Sequence, residues 1–385
     1  MKRLPKRIIA VLLFLSLLSC GKGESPEELT YNTEVNDGVK HIHNFANAWG
    51  ENPGISIELV RKIGDIENTD ENFMFFFPID VCVDKENNLY ILDRGNCRIQ
   101  KYDEQFNFIR TIGSKGPGPG EMNFAASLDI DSEGNLHVMD SGNMRIEIYN
   151  PDGKSLMSFR PDMKYLMASR LFPGGGYITQ SLHVIPIIQK NLDFEDIPRL
   201  DTYDEKGRLV KSFGSIFDFG DEKSNLYRNG VYFTVDNDSN VIVTFMYLNR
   251  IEKYSKDGEL FFRTDRPLDI DVDLLDLRII SSAVESDSKN YKWVSTLNRK
   301  LNDKENISYG EGDAPGGGMA AYLHKSSEVT ETDVYELEIF NSEGILQGKI
   351  PIDYFCDNLR IFGDRLFVID TFRAMCVYEY RITYR

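Results

Sequence analysis

The sequence is poor in the residues and motifs that enzyme active sites commonly use. It has five histidines, five cysteines and two tryptophans among 385 residues. It has no G-x-S-x-G segment to present a serine nucleophile. The glycine runs at 116–120, 174–176 and 316–318 lack the lysine and hydroxyl residue of a phosphate-binding loop. The three aspartates of 271–276 lack the glycine and distal glutamate of a calcium-binding loop. No motif therefore points to a catalytic group or a resident cofactor, although calcium held by scattered side chains stays open.

Positive charge and long apolar runs are also scarce. The chain has 44 Lys and Arg residues against 61 Asp and Glu residues, which gives a net charge of −17. Such a surface repels phosphates, so nucleic acid is excluded as an expected partner. The longest apolar run, Ile8–Leu18, has eleven residues, and a helix that crosses a bilayer needs about 20. Any membrane association is therefore expected through an anchor.

The N-terminus predicts such an anchor. A basic start precedes the apolar run, and Leu17-Leu18-Ser19 leads into Cys20. This order is typical of a secretory signal, and its end resembles the bacterial lipobox, in which the cysteine is lipidated. We therefore expect a signal peptide over 1–19 and lipidation at Cys20. We expect a polar tether without strands over 20–54, and attachment to the bacterial envelope, at the periplasmic or surface face of the outer membrane. The alternative is a plain secretory signal with a chance cysteine.

The other four cysteines leave two possibilities open. Export permits disulfides, and the spacings of the four fit no paired C-x-x-C metal pattern. Bridges and buried free thiols are both compatible with the sequence for Cys82, Cys97, Cys356 and Cys376.

What the chain does contain is a repeat. NLYILDRGNCRIQKYD at 88–103 returns as NLHVMDSGNMRIEIYN at 135–150, with eight of sixteen positions identical. Further copies follow at 235–260, 335–350 and 359–382, and a divergent one spans 171–214. Each copy alternates short strands rich in Ile, Val, Tyr and Phe with turns that contain Gly, Asn or Asp.

Four strands per unit at this period are typical of a propeller blade. The sequence thus predicts an all-β fold over 55–385, a six-bladed β-propeller with four-stranded antiparallel blades. Because the last copy stops after three strands, the N-terminal strand at 55–65 is predicted to close the last blade. Seven blades remain an alternative if 264–334 holds one of its own; otherwise it supplies inner strands of the fifth blade and a long loop.

The segment 79–160 resembles NHL repeats, through its Val-Asp, Asn-Leu-Tyr and Asp-x-Gly-Asn-x-Arg-Ile elements. With the lipobox, the whole chain resembles the six-bladed propeller lipoproteins of Bacteroides-type bacteria. The resemblance implies a fold more firmly than it implies an activity. Some six-bladed propellers are calcium-dependent lactonases, whose metal ligands converge on the axis.

The repeated pairs Asp93–Arg98 and Asp140–Arg145 are interpreted as scaffold, because a catalytic group is normally needed once. Asp84, Asp131 and Asp236 end innermost strands, so they are candidate ligand-binding residues at one mouth of the axis, with turn capping as the alternative. The predicted function is a non-catalytic scaffold that binds an envelope protein, peptide or glycan. The alternatives are a structural subunit of an envelope complex and an axial enzyme, either a calcium-dependent, lactonase-like hydrolase or a lyase.

Overall fold

The computed structural model describes residues 29–50, 52–64, 69–162, 168–180, 198–221, 224–225, 228–268, 279–306, 308–310, 322–324 and 329–385. The predicted signal peptide and lipidation site, residues 1–20, lie outside these residues. No helix in the described part of the chain is long and apolar enough to cross a membrane. The four described cysteines, at positions 82, 97, 356 and 376, are buried and form no disulfide with one another.

The fold is a ring of six antiparallel blades. Three strands come first along the chain: β1 Tyr31–Asn36, β2 Val39–Asn44 and β3 Ile55–Ile63. Blade 1 contains β4 Pro78–Val83, β5 Leu89–Asp93, β6 Arg98–Tyr102 and β7 Phe108–Ile112. Blade 2 contains β8 Ala125–Ile130, β9 Leu136–Asp140, β10 Arg145–Tyr149 and β11 Ser155–Phe159. Blade 3 contains β12 Ser169–Leu171, β13 Tyr177–Gln180, β14 Pro198–Tyr203 and β15 Leu209–Ser215.

The second half of the chain completes the ring. Blade 4 contains β16 Val231–Val235, β17 Val241–Phe245, β18 Ile251–Tyr254 and β19 Leu260–Asp265. Blade 5 contains β20 Ser281–Ser286 and β21 Lys292–Leu297, then β24 Glu331–Phe340 and β25 Leu346–Tyr354. In the chain between β21 and β24, β22 Ser308–Gly310 pairs with β23 Tyr322–His324 in a separate two-stranded sheet. Blade 6 contains β26 Asn358–Phe362, β27 Arg365–Asp370 and β28 Cys376–Tyr384, with β3 as its outermost strand.

The ring is closed in the predicted way. Each innermost strand contacts the innermost strands of both neighbouring blades, from β4 through β8, β12, β16, β20 and β26 back to β4. β3 pairs antiparallel with β28, from Ile63 opposite Val377 to Ile55 opposite Tyr384. The prediction of six blades with an N-terminal closing strand is confirmed, and the described parts of 264–334 supply strands of the fifth blade.

Apolar residues at consecutive strand positions account for the packing between blades. All five residues of β5 and all five of β17 are buried, as expected for strands covered on both faces by neighbouring sheets. Between blades 5 and 6 the core contains Trp293, Phe355 and Tyr378. The rings of Tyr354 and Tyr378 stack there with centroids 3.8 Å apart.

The prediction of a strand-free tether was wrong for residues 31–44. β1 and β2 form a hairpin, and β2 pairs in parallel with β19, so blade 4 grows to six strands. Asp37 and Gly38 form the turn with φ values of 53° and 81°, the left-handed conformation that two-residue hairpin turns require. The Asp-Gly pair between two short strands was the sequence signal for this hairpin.

The chain then continues along the outside of the ring. The backbone N–H groups of Ala48 and Trp49 donate to the carbonyls of Leu346 and Gln347 on the outermost strand of blade 5. The Trp49 ring lies against Gly348, where a Cβ would come within 1.9 Å of a ring carbon. Residues 31–50 and 52–63 therefore form a belt (the N-terminal belt) along the outer edges of blades 4, 5 and 6.

Candidate functional site

The three candidate aspartates cap the hairpins between the first and second strands of their blades. Oδ1 of Asp84 accepts the backbone N–H groups of Glu86 and Asn88 at 3.0 and 2.8 Å. Asp131 and Asp236 make the same pair of bonds, at 2.9 and 2.8 Å and at 3.0 and 2.8 Å, to residues two and four positions further on. This geometry shows turn capping, the alternative interpretation of these residues.

The second oxygen of each aspartate also has a partner. Oδ2 of Asp84 accepts a bond from the Tyr90 hydroxyl at 2.9 Å, and Asp131 lies 3.1 Å from Nε2 of His137. Burial raises the pKa of the Asp131 carboxyl, but hydrogen bonds from Asn135 and His137 outweigh it and leave the pKa below its usual value.

Asp236 lies between two lysines. Its carboxylate is 3.2 Å from Lys253 of its own blade and 3.3 Å from Lys292 of the next. Burial opposes ionisation, but the charge of Lys292 leads the effects that lower its pKa. No direct contact joins the three aspartates in the described structure, so each serves its own hairpin and its neighbours.

The arginines of the repeated aspartate–arginine pairs hydrogen-bond to the loops that enter blades 1 and 2. Arg98 Nε lies 2.8 Å from Asp93, and its Nη2 donates to the carbonyls of Glu71 and Met74 in the loop that enters blade 1. Arg145 makes the matching contact to Asp140 at 3.1 Å and holds the loop that enters blade 2. These contacts support the scaffold interpretation of the repeat.

The axis contains an ion-pair network that sequence reasoning missed. Arg360 of blade 6 lies 2.9 Å from Asp80 of blade 1, 2.8 Å from Asp129 of blade 2 and 3.0 Å from Glu285 of blade 5. Arg170 of blade 3 lies 3.0 Å from the other oxygen of Asp80, and the Thr234 hydroxyl of blade 4 donates to Glu285. Every innermost strand therefore contributes one polar side chain (the axial network).

The axial network closes the centre of the ring. Arg360 with Asp129, and Arg170 with Asp80, join blades that are not neighbours, which requires the side chains to meet across the axis. All six residues are buried, from 1% exposure for Asp80 to 9% for Arg170. Burial alone would lower the pKa of Arg360, but the three surrounding carboxylates hold it well above the usual value. Burial raises the pKa of Glu285 and outweighs the opposing charges of Arg360 and Arg170.

The amino-acid sequence contains only a weak indication of the axial network. Asp80, Asp129 and Arg360 each interrupt an apolar strand (PIDVCV, AASLDI and NLRIF). A polar residue in the middle of a strand buried on both faces needs a partner. However, the sequence gives no register between blades, so it could not show that these residues meet.

A carboxylate pair lies at the axial end of blade 6. Asp357 directly precedes β26, and its Oδ2 accepts the N–H of Thr371 at 2.9 Å. Asp370 is fully buried and accepts the N–H groups of Arg373 and Ala374. Burial, followed by the charge of Asp370, raises the pKa of Asp357 to about 7, and the charge of Arg373, 3.7 Å away, opposes this increase.

Two clefts lie at turns and blade edges. One, of about 330 Å³, includes Gly174, Asp204 and Lys256 at turns of blades 3 and 4. The other, of about 430 Å³, includes Asn143, Arg145 and Arg160 on blade 2. Among the described residues, no group of three or more His, Cys, Asp and Glu side chains is placed to hold a metal ion.

Comparisons with known proteins agree with this architecture. The model of the DUF5128 family, described as a 6-bladed beta-propeller, matches residues 66–167. A Bacteroides fragilis protein, described as a candidate exported protein, is 13% identical with a TM-score of 0.53, and the match covers 89% of this chain and 98% of that one. A DUF4221-family protein from Bacteroides vulgatus is 10% identical with a TM-score of 0.52, and covers 86% and 99%.

A more distant solved structure is an enzyme. Virginiamycin B lyase from Staphylococcus aureus is 10% identical with a TM-score of 0.46, and the match covers 85% of this chain and 99% of the lyase. No curated protein matches the sequence. At these identities the two Bacteroides structures show a shared fold alone, and no activity is carried to this chain.

Proposed function

We propose that the protein is a lipid-anchored β-propeller of the bacterial envelope that binds a protein, peptide or glycan without catalysis at its axis. The observation that carries this proposal is the axial network. An axial enzyme needs polar groups free to meet a substrate or a metal. Here the carboxylates of Asp80, Asp129 and Glu285 on the innermost strands are paired with Arg170, Thr234 and Arg360. The faces and edges of the ring remain for recognition, as is common for rigid scaffolds.

The anchoring part of the proposal rests on the order of basic, apolar and Leu-Leu-Ser-Cys segments in the first twenty residues. In the native host, Cys20→Ser should prevent lipid attachment and release the protein from the membrane fraction, whereas the matched change Ser19→Ala should leave both unchanged. Mass spectrometry of the N-terminus with membrane fractionation measures this. Lipidation at Cys20 would be overturned if the Cys20→Ser protein stays in the membrane fraction and its N-terminal mass differs from that of the wild type only by the substitution.

A second candidate, a hydrolase or lyase that works beside the axis, is favoured by one observation. Asp357 has a pKa of about 7, which suits a general acid or base at neutral pH, and 17% of its side chain is exposed. Assays of esters, lactones and macrocyclic esters, with and without calcium, test this candidate. Turnover that Asp357→Asn abolishes and Asp353→Asn retains would replace the binding proposal, and no turnover in the wild-type protein would leave it standing.

A further inference from the structure

Exposed aromatic residues collect on the face of the ring where the loops between blades lie. Phe76 and Phe77 directly precede the innermost strand of blade 1, and Phe124 directly precedes that of blade 2. Phe124 is 60% exposed and Phe76 is 44% exposed. The ring centroids of Phe76 and Phe77 are 4.3 Å apart, and Phe77 reaches Phe372 of blade 6 at 6.0 Å. An aromatic surface therefore spans blades 6, 1 and 2.

Two of these phenylalanines have an unusual backbone conformation. Phe77 and Phe124 have φ values of 55° and 54°, a left-handed region that bulky residues rarely adopt. They occupy equivalent positions in successive blades, since Gly95 and Gly142 donate to the carbonyls of the preceding residues, Phe76 and Asn123. Strained backbone that presents an exposed ring gains little for the fold, and strain of this kind clusters at binding sites.

Arg94 places a positive charge on this surface. Its Nε donates to the carbonyl of Ala125 at 2.7 Å, and its guanidinium lies 4.5 Å from the centroid of the Phe124 ring. Burial lowers its pKa to about 10, so it stays charged at neutral pH.

Arg94 also lacks an acidic partner. No carboxylate among the described residues pairs with it, although the chain has a net charge of −17 and the neighbouring arginines Arg98 and Arg145 are paired. A partly buried guanidinium with free Nη donors binds a carboxylate favourably, and adjacent rings strengthen this by excluding water.

We propose that Arg94 and Phe124, with Phe76 and Phe77, bind a carboxylate flanked by an apolar side chain in an extended peptide. This inference rests on the proposed binding function and assigns it a place and a ligand class. Phenyl rings beside one guanidinium match an acidic residue next to a hydrophobic one. An acidic glycan would need hydrogen-bonding groups for its hydroxyls, and the exposed phenyls of this surface provide none.

Fluorescence anisotropy with the processed, full-length chain in detergent micelles tests the proposal. The probes are a labelled, end-blocked peptide Ala-Phe-Glu-Phe-Ala, its Gln counterpart, and Ala-Phe-Phe with a free or an amidated C-terminus. Binding is expected for the Glu peptide or the free C-terminus, and the one that binds identifies the source of the carboxylate. The matched neutral peptide should bind about tenfold or more weakly, because a charge-assisted bond is lost.

Variants separate this site from other binding. Arg94→Gln should weaken binding of the acidic peptide about tenfold, Arg94→Lys should retain part of the affinity, and Phe124→Ala should weaken binding severalfold. Arg110→Gln, on the outermost strand of the same blade, is the matched control and should bind as wild type. Circular dichroism and the melting temperature verify that each variant is folded.

Three results would overturn the inference: equal affinity for the acidic and neutral peptides, wild-type affinity in Arg94→Gln, or binding of a uronic-acid oligosaccharide in place of the peptides. Peptide binding that does not depend on Arg94 would reject this site and leave the proposed binding function intact. Turnover or a metal at the axis would reject the proposed function itself.

Discussion

Arg360 is the residue on which the closed axis depends. It contacts carboxylates of blades 1, 2 and 5 from the innermost strand of blade 6. The guanidinium suits this place because its planar fork can meet several carboxylates at once, which a lysine ammonium does less well. Without it, three buried carboxylates would face one remaining arginine, Arg170.

Replacing Arg360 should therefore be costly. We expect Arg360→Met to lower the free energy of unfolding by about 3–5 kcal/mol, the usual effect of removing one partner from a buried ion pair. Arg110→Gln, which changes an exposed arginine, should stay within about 0.5 kcal/mol of wild type. Denaturant unfolding measures both, and a loss below about 1 kcal/mol in Arg360→Met would show that the network does not hold the blades together.

Asp357 makes stability depend on pH. The pKa of Asp357 is about 7 in the folded chain, above the ordinary value of 3.8. Between pH 3.8 and about pH 7 the folded chain therefore holds a proton on this group that the unfolded chain has released. The contribution of this group to stability is therefore present at low pH and falls as the pH rises from about 4 to about 7.

Asp357→Asn removes this dependence. The stability of the variant relative to wild type should be higher at pH 8 than at pH 5, because at pH 8 only the wild type carries the Asp357 charge beside Asp370. Asp353→Asn, an exposed change nearby, should show the same small difference at both pH values. Melting temperatures at pH 5 and pH 8 test this, and an equal difference for Asp357→Asn at both would contradict the raised pKa.

At the scale of elements, the repeat predicted the strands of the blades well. It did not predict the hairpin of residues 31–44 or the side-chain contacts between blades. Asp-capped turns and Ile/Val/Tyr strands fixed the blades, and the missing fourth strand of the last copy led to β3. The hairpin of residues 31–44 was missed because its exposed residues carry no alternating apolar pattern; only its Asp-Gly turn marks it. The axial network was missed because it joins strands far apart in the sequence, and no local pattern reports such contacts.

The closing strand should be essential to the whole ring. Ile63 is fully buried beside Val377, and Ile63→Ala should cost about 2–4 kcal/mol through lost burial and the cavity left behind. Val60→Ala, at a position of the same strand that is 41% exposed, should cost less than about 1 kcal/mol. Urea unfolding that shows no difference between the two variants would mean that β3 does not close blade 6 in solution.

The part of the N-terminal belt that precedes β3, residues 31–50, can be tested separately from ring closure. Trp49→Ala removes the ring that packs on Gly348 and should release residues 31–49 from blades 4 and 5, with faster amide exchange there. Phe45→Ala, which removes a ring that is 55% exposed, is the matched control. Hydrogen–deuterium exchange measured by mass spectrometry compares the amide exchange of residues 31–49 in the two variants and the wild type. Unchanged exchange over 31–49 in Trp49→Ala would show that the belt is held by its strand pairing alone.

At the scale of the whole molecule, the axial network and the N-terminal belt hold the ring together. The axial network joins six blades at the centre, and the N-terminal belt lies along the edges of three of them. If Cys20 carries the lipid, the anchor lies eleven residues before Tyr31, so at about 3.3–3.6 Å per extended residue blade 4 stays within about 40 Å of the membrane. The face that bears Arg94 is then presented by a rigid and tethered scaffold.

The central claim, that the axis is closed by ion pairs and holds no catalytic metal, is tested most directly by elemental analysis of the purified processed protein with thermal unfolding in EDTA and in calcium. We predict far less than one metal ion per chain and the same melting temperature in both conditions. About one calcium per chain, with a large fall in melting temperature on chelation, would contradict the account and favour an enzyme at the axis.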